Sequence, residues 1–261
     1  MSFAKPLRGP SMAWPEGEPY EDHPRGTLKS GKEAEIFLLE RRFATSGPRL
    51  LAHKRYRPRY PAKGELREKG FSNSTLYRGD AIYKAGWNLD ARDRRALRAG
   101  NRSRYGHELA SQLWPMQEWT MLRRAWEVGV PVPYPVERSE DGVLMEFIGD
   151  EEQAAPKLAQ ARLADDELRS AWAQTVDALR ALTLGGLVHS DLSAYNMLWW
   201  QGRLVIIDLP QAVEFTTNAD AFELLHRDVA NVAEWFGRRG MEIDAEALYA
   251  EVVILAWLGD R

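Results

Sequence analysis

The sequence predicts an α+β chain with a β-rich N-terminal lobe and a mainly helical C-terminal lobe. Three observations carry this: strand-like segments crowd the first half, amphipathic helical stretches dominate the second, and the late strands form one small hairpin. A sheet of alternating strands and helices would need the two kinds of segment to interleave, and here they do not.

In chain order, residues 1–25 hold Pro6, Pro10, Pro15, Pro19 and Pro24. Proline at that density blocks regular backbone hydrogen bonding, so an extended or disordered tail is expected. The N-lobe is assigned to 26–147. Ala34 to Leu39 and Leu50 to Tyr56 read as strands, with a turn signal at Ser46-Gly47-Pro48 between them. Residues 57–106 are rich in Arg, Gly and Tyr with weak periodicity, the texture of an insertion. Met116, Trp119, Leu122 and Trp126 then mark a helical stripe ending at Gly129, starting either at Pro115 or near His107 with Pro115 inside. Pro131, Pro133 and Pro135 interrupt the chain before an apolar strand, Val143 to Ile148.

The C-lobe is assigned to 148–261. Asp165 and Asp166 open a helix whose apolar face holds Leu168, Trp172, Val176, Leu179 and Leu182, and Gly185-Gly186 closes it. Leu187-Val188-His189, a loop, Met197 to Trp200, a tight turn at Gln201-Gly202 and Arg203 to Ile207 follow. Two amphipathic helices, near 219–237 and 244–257, complete the chain.

Composition removes several classes of function. Cysteine is absent, which excludes disulfides and thiolate metal centres. A net charge of −3 argues against a wholly basic nucleic-acid binder, though not against a local basic patch. No apolar run approaches the roughly 18 residues of a membrane-spanning helix. The first residues carry no apolar secretory segment, so a cytoplasmic location is expected.

The chemistry concentrates in His189-Ser190-Asp191-Leu192-Ser193-Ala194-Tyr195-Asn196 and, after the hairpin, Leu204-Val205-Ile206-Ile207-Asp208. Phosphoryl transfer from ATP needs a carboxylate beside the attacking oxygen and hard oxygen ligands that hold a metal against the phosphates. An Asp followed five residues later by Asn has the catalytic-loop spacing of kinases. Asp191 fits the catalytic carboxylate, and Asn196 and Asp208 fit the metal ligands. Asp208 by itself reads as a turn residue, and only the combination raises it to a ligand. His189 reads as a brace for the loop. Lys54 lies on a strand in the pattern Ala52-His53-Lys54, and Glu118 lies on the helix beyond the insertion. Alone these are an edge lysine and a solvated glutamate; together they can pair. Ser30-Gly31-Lys32 is a small-residue turn able to cradle phosphate, distinct from a P-loop.

Six ordered blocks resemble the RIO family of atypical serine protein kinases, closest to its type-one branch. They are Leu28 to Phe37 (phosphate loop), Trp114 to Leu122 (glutamate-bearing helix), Val143 to Gly149 (hinge), Leu187 to Leu198 (catalytic loop), Leu204 to Val213 (metal loop), and Phe222 to Phe236 with Arg227-Asp228 and Asn231. The resemblance implies an abbreviated protein-kinase-like two-lobed fold, with ATP and Mg2+ as cofactors and Mn2+ as a substitute. It implies that Lys54 contacts the α/β phosphates and pairs with Glu118, and that Ser30, Gly31 and Lys32 cover the triphosphate. Met145, Glu146, Phe147 and Ile148 would bond adenine through backbone groups. Asp191 would be catalytic, with Asn196 and Asp208 holding metal. Asp208 would also be the phospho-acceptor of an ATPase reaction. Ser190 stands where that family usually has Gly or Ala, and Pro210 where a small residue is common.

The cluster Arg92, Arg94, Arg95, Arg98, Arg102 and Arg104 reads first as a solvated face, and by the resemblance as a contact to RNA or a ribosomal particle. The protein substrate, or the chain itself as substrate, is not encoded legibly. Two other functions compete. A small-molecule phosphotransferase of aminoglycoside- or choline-kinase type usually carries His two residues after the catalytic Asp, where Ser193 stands here. A nucleotide-gated ribosome-assembly factor would bind ATP with little turnover.

Overall fold

In the computed structural model the described residues are 14–31 apart from 16, 34–56, and 104–259 apart from 140 and 152, with the side chains of 104–113 left aside. Lys32 and the arginine cluster up to Arg102 therefore lie outside the described residues. Arg104 is described only as the first residue of a helix.

Five antiparallel strands form the N-lobe sheet: β1 (Tyr20–Ser30), β2 (Ala34–Phe43), β3 (Gly47–Tyr56), β4 (Pro135–Arg138) and β5 (Gly142–Glu146), in the order β1-β2-β3-β5-β4. The boundary expected at residue 25 falls inside β1, so the described end of the proline-rich stretch is paired from Tyr20 onward. Pro24 is tolerated because β1 is an edge strand, where a missing N–H costs no ladder bond, and the pairing with β2 slips at Pro24/Gly26. The strand β4 was not anticipated. Pro135 opens it, again on an edge. Helix α1 (Arg104–Glu127) runs through Pro115 and packs on β3, β4 and β5. Of the insertion expected over 57–106, residues 57–103 lie outside the described residues, and 104–106 belong to the first turn of α1.

Beyond the sheet come α2 (Asp165–Leu184), β6 (Leu187–Val188), β7 (Met197–Trp200), β8 (Arg203–Ile206), β9 (Val213–Glu214), α3 (Ala221–Gly237) and α4 (Ala245–Gly259). The start of α2 is closed by Glu167, whose side chain accepts the Ala164 amide at 3.0 Å. β7 and β8 form the expected hairpin, and Gln201 and Gly202 both adopt positive φ (50° and 76°), as a two-residue turn matching strand twist requires. β6 pairs with β9, a two-residue ladder that sequence periodicity cannot reveal.

One apolar core joins the lobes. Leu122 of α1 and Val143 of β5 belong to the same buried cluster as Leu158, Leu182, Leu192, Met197, Ile206 and Phe236. Continuous packing of this kind sets the sheet over the hairpin and leaves a cleft between them. Among the described residues, no helix is long and apolar enough to cross a membrane.

Candidate active site

The cleft has a volume of about 1160 Å³. Its roof comes from β1–β3 (Leu28, Gly31, Ile36, Ala52), its back from Met145 to Ile148, and its floor from Asn196, Leu198, Ile207 and Asp208. Alternation along β3 puts Ala52 and Lys54 on one face, so the small residue opens the space into which the lysine reaches. The neighbouring strand is pressed close: a Cβ added to Gly142 would sit 2.1 Å from the Lys54 carbonyl oxygen, so only glycine lets β5 pair there.

Lys54 ties the lobes together. Its ammonium donates to Glu118 Oε1 at 2.7 Å and to Asp208 Oδ1 at 2.5 Å. Burial would lower its pKa, but Asp208 and Glu118 outweigh that and hold it well above the usual lysine value. Glu118 is only 2% exposed, and burial raises its carboxyl despite the Lys54 charge. Its second oxygen accepts the Tyr56 hydroxyl. The Lys54 charge lowers the Asp208 pKa, so this carboxylate stays ionised. Tyr56, which the sequence reading passed over, is thus the third partner of the Lys54–Glu118 pair. An aromatic ending a strand gives no sign of that.

The loop carrying Asp191 is anchored from beneath. Asp228 of α3 is fully buried and accepts the Ser190 and Leu192 amides at 2.7 and 2.8 Å, on either side of Asp191. Arg227 donates to the Ser190 carbonyl at 2.5 Å. The His189 ring meets the Ile207 carbonyl at 3.1 Å, bracing the loop against the segment before Asp208. Asn196 donates through Nδ2 to the Asp191 backbone oxygen and to Oδ2 (2.8 and 3.0 Å). With Nδ2 so bonded, its amide oxygen is available as an acceptor, and Asn196 lines the cleft. Partial desolvation raises the Asp191 pKa, against opposing pulls from His189 and the Asn196 bond. Asp228, buried more deeply, is pushed up to about 6.

Ser190 and Asp208 have φ of 61° and 71°, in the left-handed region that favours glycine. This explains what a glycine would do at 190; here Ser190 holds the conformation through a hydroxyl bond to the Gln211 carbonyl. Pro210 is buried and lines the cleft, and Gln117 of α1 ties the same segment by donating to the Ala212 carbonyl at 3.0 Å. Met145 pairs with Ala52, and the amides of Glu146 and Phe147 donate to the Tyr134 and Leu50 carbonyls.

The structure thus brings Lys54, Glu118 and Asp208 into direct contact, with Asn196 on the same cleft and Asp191 bonded to it. It does not bring Ser30 there: that hydroxyl points to Glu35 Oε1 at 3.1 Å, on an exposed edge, while Gly31 beside it lines the cleft. Among the described residues, no three His, Cys, Asp or Glu side chains group to hold a metal by themselves. One carboxylate and one amide oxygen instead suit a Mg2+ ion that takes its remaining ligands from phosphates and water.

Comparison with known proteins bears on the family and the fold. The RIO domain model matches residues 83–248. The RIO-type serine/threonine-protein kinase Rio1 of Haloferax volcanii is 36% identical over 146 residues, covering 55% of this chain and 49% of that protein. A probable serine/threonine-protein kinase RIO1 homolog of Encephalitozoon cuniculi is 30% identical over 226 residues, covering 84% of this chain and 55% of its own length. The chain therefore spans about half the length of these curated relatives. Among solved structures, the Rio2 kinase–ADP/Mg2+–phosphoaspartate complex of Chaetomium thermophilum aligns with a TM-score of 0.54 at 19% identity, over 87% of this chain and 61% of that one. At that identity the likeness concerns the fold, which is the two-lobed kinase-like one. With a domain match over well more than half its length, the chain belongs to the RIO kinase family.

Proposed function

We propose that this chain is an ATP- and Mg2+-dependent phosphotransferase acting on a serine hydroxyl of a protein, itself included. The observation that carries the reading is the junction of Lys54, Glu118 and Asp208 at the inner end of the cleft, with Asp191 and Asn196 bonded to each other beside it. Lys54 supplies positive charge to the phosphates, and Glu118 holds it in place. Asn196 and Asp208 would hold the divalent cation, which when bound would neutralise charge on the phosphate oxygens. The attacking hydroxyl oxygen forms a bond to the γ-phosphorus as the bond to the β–γ bridging oxygen breaks. The electron pair leaves with ADP, and the hydroxyl proton passes to Asp191. A carboxylate raised by desolvation is better matched to that proton than a free one. Met145 to Ile148 offer the backbone edge for adenine.

One observation supports a second outcome of the same chemistry. Asp208 is held ionised by Lys54, which occupies one of its oxygens and leaves the other exposed to the cleft. That oxygen can itself attack the γ-phosphorus as the bond to the β–γ bridging oxygen breaks and ADP leaves with the electron pair; water then cleaves the aspartyl phosphate, giving phosphate and the free carboxylate.

The test is incubation with γ-labelled ATP and Mg2+, separating label on serine, label on aspartate and free phosphate. Asp191→Asn is expected to lower serine labelling by about 10²–10⁴-fold. Labelling within twofold of the unsubstituted chain would remove Asp191 as the carboxylate.

A further inference from the structure

Two lysines face the cleft from opposite lips without entering the scheme above. Lys29 lies near the end of β1, two residues before Gly31, on the roof. Lys157 lies on the floor, where its backbone bridges to Leu198 of β7. The floor around it is firmly built: the Leu158 amide donates to the Met197 carbonyl at 2.8 Å and the Trp199 amide to the Pro156 carbonyl at 3.0 Å. Lys157 therefore projects from a braced loop segment between the hinge and Asp208.

Among the described residues neither ammonium has a carboxylate within ion-pair distance. The acid that acts on Lys157 is Asp208, and that group is already bonded to Lys54. Burial lowers the Lys157 pKa, and the Lys29 charge lowers it further. A half-buried lysine facing a like charge across a groove is unfavourable unless an anion enters between them. A lysine serving only solubility would sit in water, away from both.

We propose that Lys29 and Lys157 form an anion clamp across the mouth of the cleft, gripping the phosphate chain of a nucleoside polyphosphate so that the site selects ligands by phosphate number. The clamp rests on the phosphotransferase reading and adds to it a discrimination that Lys54 alone does not provide. Lys54 is ion-paired to two carboxylates, whereas among the described residues Lys29 and Lys157 make no ion pair. Their grip should grow from AMP to ADP to ATP and weaken as salt screens them.

The test is calorimetric titration of the full chain with ATP, ADP and AMP in the absence of Mg2+, at low ionic strength and at about 0.15 M salt. The double variant Lys29→Gln/Lys157→Gln is expected to weaken ATP binding by about 10-fold or more while changing AMP binding less than about twofold, and Lys29→Arg/Lys157→Arg is expected to restore the preference. An ATP-to-AMP ratio that is the same in the Gln variant and the unsubstituted chain overturns the clamp and leaves the phosphotransferase reading standing. Failure of the unsubstituted chain to bind ATP, with or without Mg2+, overturns both.

Discussion

The floor and the roof of the cleft are held by different means. On the floor, the Asp191 loop hangs from Asp228, a fully buried carboxylate that takes two main-chain amides, with Arg227 and His189 bonding the adjoining carbonyls. On the roof, β1 is an edge strand, exposed along nearly all its length and slipped twice against β2. The floor is over-determined, as a site that must hold reacting atoms has to be. The outer strand of the roof is attached by one ladder alone, so shifting it disturbs fewer contacts than shifting the floor. Three experiments break or sharpen this contrast.

The largest effect should come from removing the floor's anchor. Asp228→Ala orphans the buried amides of Ser190 and Leu192, each worth about 1–3 kcal/mol when left unsatisfied. No longer burying a carboxylate recovers part of this, so a net loss of about 2–4 kcal/mol is expected, read as a lower urea midpoint at unchanged m. Stability within about 0.5 kcal/mol of the unsubstituted chain would show that the loop is held by other means.

The same anchor carries a pH signature. Burial raises Asp228 from its ordinary 3.8 to about 6. Between those values the folded state binds more protons than the unfolded one, so the stability contributed by this group falls as pH rises and is lost above about 6. The gap in unfolding free energy between the unsubstituted chain and Asp228→Ala should therefore widen by about 1 kcal/mol from pH 7 to pH 5. Comparing the two proteins cancels the other titrating groups. A gap that narrows over this range would mean that the two amide bonds and the neighbouring Arg227 and His189 outweigh burial.

What was legible in the sequence divides along the same line. Local spacing shows short-range geometry: Asp191 and Asn196 five residues apart, the Gln201-Gly202 turn, the acids opening α2. Contacts made by distant segments had to be inferred from likeness or were missed. Lys54 and Asp208 meet across 154 positions. By spacing alone Asp228 is one more polar residue on an amphipathic helix, and the resemblance marks it without giving it a role, because nothing local says that its face turns inward beneath a loop 36 residues earlier. Tyr56 is silent for the same reason, since its partner Glu118 arrives from another element. The strands β4 and β9 escaped notice because one begins at a proline and the other has two residues, too few for an alternation to show. The tail boundary expected at residue 25 lies inside β1 because proline argues against a central strand but not against an edge.

Ser30 gives the smallest effect and the cleanest contrast with Asp228. Both residues make side-chain hydrogen bonds beside the cleft, but Ser30 bonds the Glu35 carboxylate at 3.1 Å on an exposed strand end, where water can replace either partner. Ser30→Ala should leave the thermal midpoint within about 2 °C and the unfolding free energy within about 0.5 kcal/mol. Removing one hydroxyl from the roof then costs several-fold less than removing one carboxylate from the floor, although each donor–acceptor distance is ordinary. The difference lies in what replaces the lost partner: solvent above, and nothing below. If Ser30→Ala instead lowered stability by about 2 kcal/mol or more, the Ser30–Glu35 bond would be a structural tie between β1 and β2 and not a contact that water can replace.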